Sequence, residues 1–155
     1  MRTHEMAAGG FRPRGRTRST TLNVVLRILV AAALAVDAAV HWQLAPGYQL
    51  AAPGGIGQGN LFHLEAVVAV LVALYVLVRG SRPAFAAALL VAGSAFVAVV
   101  LYRYVDIPAI GPIPSMYEPV WFFGKSVSAV AEGLGALLAA VALVTHRRRT
   151  RRSER

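Results

Sequence analysis

Four apolar stretches stand out along the chain, at about 23–44, 61–78, 84–104 and 119–144. Each is close to the ~20 residues that a helix rising about 1.5 Å per residue needs to cross roughly 30 Å of hydrocarbon. Polar breaks rich in Gly, Pro and Arg separate them. The pattern predicts an all-α integral membrane protein, a four-helix bundle over 22–145. Basic segments at 1–21 and 146–155 read as disordered tails. The first stretch follows an Arg-rich segment, as a secretory signal would. It is longer than a signal core of about 7–15 residues, and Asp37 interrupts the place where small residues would mark cleavage. An uncleaved span is expected.

Within the fourth stretch, Trp121, Lys125, Ser128, Glu132, Gly135 and Ala139 follow the alternating four-and-three step of a packing seam. Small residues on such a seam let helices approach closely. The second stretch offers Glu65, Ala69 and Ala73 on one face, the third Ser94 and Ala98. These stripes are expected to face a common axis.

Charge orients the bundle. The 155 residues are 57% hydrophobic yet carry a formal net charge of +9. Arg2, Arg12, Arg14, Arg16, Arg18 and Arg27 precede or open the first span, and Arg79 and Arg82 lie between the second and third. Arg147, Arg148, Arg149, Arg151, Arg152 and Arg155 follow the fourth, whereas 43–60 and 105–118 contain no Lys or Arg. The positive-inside rule then puts both tails and the middle turn in the cytoplasm. The tails read as topology signals that also meet anionic lipid headgroups, so the bilayer and not nucleic acid is the expected partner. Fifteen of the sixteen basic residues are Arg, and with the Ala, Val, Gly and Leu bias this points to a high-GC bacterium and its plasma membrane.

The two exterior connections differ. Residues 46–60 hold five glycines and predict a flexible or tightly turning loop. Residues 105–119 hold Pro108, Pro112, Pro114 and Pro119 and predict a stiff, extended segment over the bundle end. Pro119 suits the first position of the fourth helix, with Glu118 near the positive end of its dipole. Trp42, Tyr104, Tyr117 and Trp121 suit an interfacial aromatic belt. The absence of cysteine excludes thiol catalysis, disulfide exchange and iron–sulfur ligation.

Candidate chemistry lies in ionisable residues inside the spans, which are costly there and turn toward the bundle interior or water. They are Asp37, His41, His63, Glu65, Arg103, Lys125 and Glu132. Asp37 and His41 share a helix face, and Glu132 falls near mid-span. One reading gathers Asp37, His41, His63 and Glu65 into a ligand, haem or metal site, with His41 and His63 as the ligating pair. The other makes His41 an interfacial residue and His63 a helix-start residue near water. Lys125 and Glu132 read either as a proton or ion pathway or as a buried ion-pair network with Asp37, Glu65 or Arg103 that fixes helix register, with water or Ser128 between them.

The segments DAAVHWQLAPGY (37–48), GNLFHLEAV (59–67) and PAIGPIPSMYEPVWFFGK (108–125) resemble uncharacterised four-span membrane proteins of high-GC bacteria. In size and span count the chain is distantly similar to the DoxX-like family, which would imply a membrane subunit linked to quinone or oxidative-stress chemistry. The resulting expectation is an accessory, assembly or small-ligand-binding membrane protein, alone or in a homo-oligomer or membrane complex, more an auxiliary than an enzyme. Its alternatives are a haem- or quinone-associated redox protein and a proton- or metal-linked transporter.

Overall fold

The computed structural model describes residues 15–153, with side chains over 21–146. Four helices follow one another: α1 (Gly15–Ala51), α2 (Gln58–Arg79), α3 (Arg82–Tyr104) and α4 (Phe123–Ser153). All four contain stretches long and apolar enough to cross a membrane. They stand up-and-down in ring order, with tight seams at α1–α2, α1–α4 and α3–α4 and a looser one at α2–α3. One end of the bundle carries the start of α1, the end of α4 and the Gly80 turn. The other, the loop end, carries the two longer connections.

The core is built largely from alanine. Ala31, Ala38, Ala66, Ala69, Ala73, Ala84, Ala88, Ala92, Ala139 and Ala142 are buried, while Leu71, Leu90, Val97, Val130 and Leu137 point outward. Such an outer surface would be an aggregation liability in water. In lipid it is the expected exterior, and small residues at the seams bring backbones close enough for van der Waals contact. Larger side chains, Val30, Leu34, Val76 and Phe85, fill the terminal half of the core. Arg27 Nε closes that end by donating to Val76 O at 3.2 Å, beside Gly80, whose φ of 52° ends α2 in the left-handed region.

The seam expected on the fourth span is present from Lys125 through Ser128, Glu132, Gly135 and Ala139. So is the Ala69–Ala73 stripe of the second. Ser94, in contrast, faces outward and satisfies its hydroxyl on Val91 O at 3.0 Å. A serine that bonds its own helix can face lipid. The buried face of α3 is therefore Ala84, Phe85, Ala88 and Ala92.

Element ends depart from the expected bounds, each for a physical reason. α1 continues through Pro46 to Ala51. Helix neighbours compensate for a proline inside a membrane helix. Here Ala45 is fully buried, Tyr48 packs on Phe62 and Gln49 Oε1 accepts from Asn60 N. Only residues 52–57 remain outside helices in the first connection. In the second, the chain doubles back at Gly111–Pro112, pinned by the Ile110–Ile113 bridge, so it is not extended throughout. Ile56 N donates to Pro112 O at 2.8 Å and ties the two connections together. α4 begins at Phe123 and not at Pro119, and residues 118–122 are not helical. Glu118 N bonds Tyr102 O at 3.0 Å, and Pro119 disfavours a helical residue before it. Helical backbone also reaches into both segments read as disordered tails, from Gly15 and to Ser153. Residues 1–14, and the arginine side chains assigned to lipid headgroups at 16, 18 and 147–155, lie outside what is described.

The α1–α2 crossing is tight at Gly59, where an added Cβ would stand 2.3 Å from Ala45 O. Gly59→Ala should therefore push the helices apart and lower the detergent melting temperature. Gly93→Ala meets nothing nearer than Ala136 Cβ at 4.0 Å. It should be neutral or stabilise by up to about 1 kcal/mol through helix propensity. Equal destabilisation by the two would contradict this packing.

Candidate functional site

The loop half of the core is polar where the terminal half is apolar. Asp37 and His41 sit one turn apart on α1, and Ser128 and Glu132 one turn apart on α4, so the tight α1–α4 seam brings two i,i+4 pairs face to face. Ser128 Oγ lies 2.8 Å from Asp37 Oδ1 and 2.9 Å from Glu132 Oε1. His41 Nδ1 lies 2.9 Å from Asp37 Oδ1 and 3.2 Å from Asp37 O. Both of those neighbours are acceptors, so Nδ1 carries hydrogen when the imidazole makes these bonds. Asp37 and Glu132 are each only 1% exposed.

Proton counting constrains this cluster. A serine hydroxyl has one hydrogen and cannot donate to two carboxylates at once. If it donates to Asp37, then Glu132 must bear a proton and donate to Oγ, or the two oxygens repel. Asp37 Oδ2 and Glu132 Oε2 are buried with no hydrogen-bond partner among the described residues. An unpaired ionised carboxylate at such depth costs at least about 2.5 kcal/mol. The cluster therefore needs added positive charge, from protons or from a bound cation.

Above the cluster lies a cavity of about 360 Å³. Its floor is His41, Ser128 and Glu132. Its walls are mainly Leu44, Leu61 and Phe62 on one side and Ala95, Ala98 and Val99 on the other, with Glu65, Tyr48 and Tyr102 interspersed. Ile113, Met116 and Glu118 of the second connection roof it. Leu64, a wall residue at the loose α2–α3 seam, is 60% exposed, so the cavity is thinly walled toward the lipid there. From Glu132 toward the terminal end the buried core cluster is alanine, valine, leucine and phenylalanine, and no hydrogen-bonded polar chain among the described residues links Glu132 to Arg27 or to the Asn23–His146 contact at that end.

The structure gathers some of the sequence candidates and separates others. Asp37, His41 and Glu132 form the cluster, and Glu65 and Lys125 line the cavity. His63 does not face the cavity. Its ring packs edge-on against Trp42, 4.7 Å between centroids, while His41 packs on Phe62. No two-histidine pocket is formed at the cavity. Lys125 does not reach Glu132. Its ammonium donates to Glu118 O and lies 5.5 Å over the Trp121 ring, so Ser128 bridges Glu132 to Asp37 instead. Arg103 stands over Tyr104, its Nε buried with no hydrogen-bond partner among the described residues, and it is not part of the cavity lining. Tyr48, Tyr102 and Glu118 also line the cavity, and none of them is among the site residues expected from the sequence. Tyr48 falls seven residues after His41, on the same helical face, a signal hidden by ending the first helix before Pro46.

Replacing the bridging hydroxyl tests this arrangement. Ser128→Ala leaves Asp37 and Glu132 facing each other with nothing between and should cost about 1–3 kcal/mol in detergent unfolding. Glu132→Gln keeps an oxygen for the serine to donate to and should cost less than Ser128→Ala. The reverse order would show that the bridge does not hold the seam.

No protein family matches the chain, and neither does any curated protein or solved structure. Its function has to be argued from the site itself.

Proposed function

We propose that this protein binds a small lipid-soluble molecule in the exterior half of the bundle, its apolar body in the cavity and a neutral hydroxyl-bearing head against the His41–Ser128–Glu132 floor. The observation that carries the reading is the joining of an apolar cavity to a buried, incompletely satisfied polar cluster. Ligand sites are commonly cavities of about 300–1,000 Å³ with a few convergent polar groups, and about 360 Å³ falls within that range. Glu65, Glu118 and Glu132 outnumber His41 and Lys125 around the lining, which disfavours an anionic head. A hydroxyl, as in a phenol or hydroquinone, can donate to the unpaired Glu132 oxygen. The α2–α3 seam offers a lateral way in from the bilayer. The end of the polar groups at Glu132 argues for binding rather than conduction, since transport of protons or ions needs a polar path on both sides.

In this reading the protein is a multi-pass component of the bacterial plasma membrane with both termini cytoplasmic. The arginine distribution supports that orientation. Reporter fusions should place Gly80 and the C-terminus inside and Gly55 and Gly111 outside. A cytoplasmic report at Gly55 would invert the proposed face.

The ligand reading is tested by isothermal titration of the detergent-purified protein with decylhydroquinone and with decanoate, which shares the tail but bears an anionic head. Saturable binding of one hydroquinone per chain and none of decanoate is expected. Ala98→Phe, which fills the cavity, should abolish it. Equal binding of both compounds, or binding that survives Ala98→Phe, would remove the proposal.

A further inference from the structure

We infer that Asp37, His41 and Glu132 form a binding site for one divalent first-row transition-metal ion, with Ser128 holding the two carboxylates in place. One ligand atom from each of the three residues lies within 4.8 Å of the others. A rotamer-scale closure brings such atoms to the roughly 2.0–2.2 Å at which oxygen and nitrogen bind zinc.

Clustering alone does not make the case, because acidic groups often gather without an ion. Here the second oxygens of both carboxylates, Asp37 Oδ2 and Glu132 Oε2, are buried with no partner, and both residues are almost wholly removed from solvent. A structural hydrogen-bond network would satisfy these atoms, since a partly satisfied buried network is worse than an apolar core. A metal ion accounts for the two orphaned oxygens, Asp37 Oδ2 and Glu132 Oε2, together. It supplies positive charge to a site with two carboxylates and one imidazole. It can take either carboxylate oxygen as ligand, and it displaces the proton that the Asp37–Ser128–Glu132 chain otherwise requires.

The donor set selects the class of ion. One imidazole with two carboxylates and no thiolate suits zinc, manganese(II), iron(II) or cobalt(II). Magnesium and calcium prefer all-oxygen sites. Three protein ligands leave a coordination position open, as in catalytic rather than structural zinc sites. His41, Ser128 and Glu132 also line the cavity floor, so the open position faces the space proposed for the ligand head. The inference is independent of that ligand, because the ion is titrated without any organic molecule.

The test uses full-length protein in detergent, stripped with chelator and titrated with zinc by calorimetry, with cobalt(II) as an optical probe. One ion per chain is expected, with visible cobalt bands and proton release on binding. Glu132→Gln and His41→Ala should each weaken zinc binding by more than the about 10–100-fold typical of an outer-shell partner. Ser128→Ala should fall within that smaller range. His63→Ala and Ala98→Phe should leave binding unchanged, the second separating the metal site from the ligand cavity. Glu132→Gln preserves the oxygen that Ser128 uses, so a monodisperse, helical sample of it is a fair comparison. Absence of zinc binding by the stripped wild-type protein would overturn the inference. So would binding that persists in both Glu132→Gln and His41→Ala, which would put the ion elsewhere.

Discussion

Helices in a bilayer gain little from hiding apolar side chains, because the lipid is as apolar as their neighbours. Close contact must do the work instead, and in this chain alanine supplies it. The run of buried alanines along all four helices lets α1 approach α2 and α4 closely, and that approach places Asp37 against Ser128 and Glu132. Larger residues at the α1–α4 seam would hold the helices apart and leave each acid alone in hydrocarbon. The polar cluster therefore depends on the alanine seams, and the fit of the seams in the loop half depends on the cluster being satisfied.

The division of the core follows from this. The terminal half uses Val30, Leu34, Val76 and Phe85 to fill the space between backbones, with Arg27 closing α2 at Val76 O. The loop half leaves space, lines it with polar groups and covers it with residues 113–118. A core filled at one end and open at the other holds its helices in register while leaving a cavity at the loop end. The hydrogen bond between Ile56 N and Pro112 O joins the two connections above that cavity.

Much of this was legible in the sequence. The four spans, the fourth-helix seam and the burial of Glu132 in the bundle all follow from periodicity and from the cost of burying charge. What periodicity lacked was the pairing between helices. Lys125 and Glu132 share a face of one helix, which suggested that they interact. The structure instead joins Glu132 through Ser128 to Asp37, which lies 91 residues before Ser128 in the sequence. His41 and His63 suggested a pair because they sit near the ends of consecutive spans, yet a rotation about α2 turns His63 toward Trp42. Ser94 was misplaced because a small polar residue suits a seam and also suits lipid when it bonds its own backbone. Pro46 hid part of the site by suggesting that α1 ended where it continues.

If the cavity binds a lipid-soluble molecule as proposed, the loose seam between α2 and α3 has a consequence for how tightly the site needs to hold it. A molecule that reaches Leu64 and Glu65 from within the bilayer has already left water, and partitioning has enriched it in the small volume of the membrane. The protein then need not supply the free energy of removing that molecule's apolar body from water. Its own contribution can be confined to the polar head, so a site of modest intrinsic affinity is well occupied and releases its guest quickly. Selectivity would then reside in the few atoms on the floor, and the alanine walls could accept tails of many lengths.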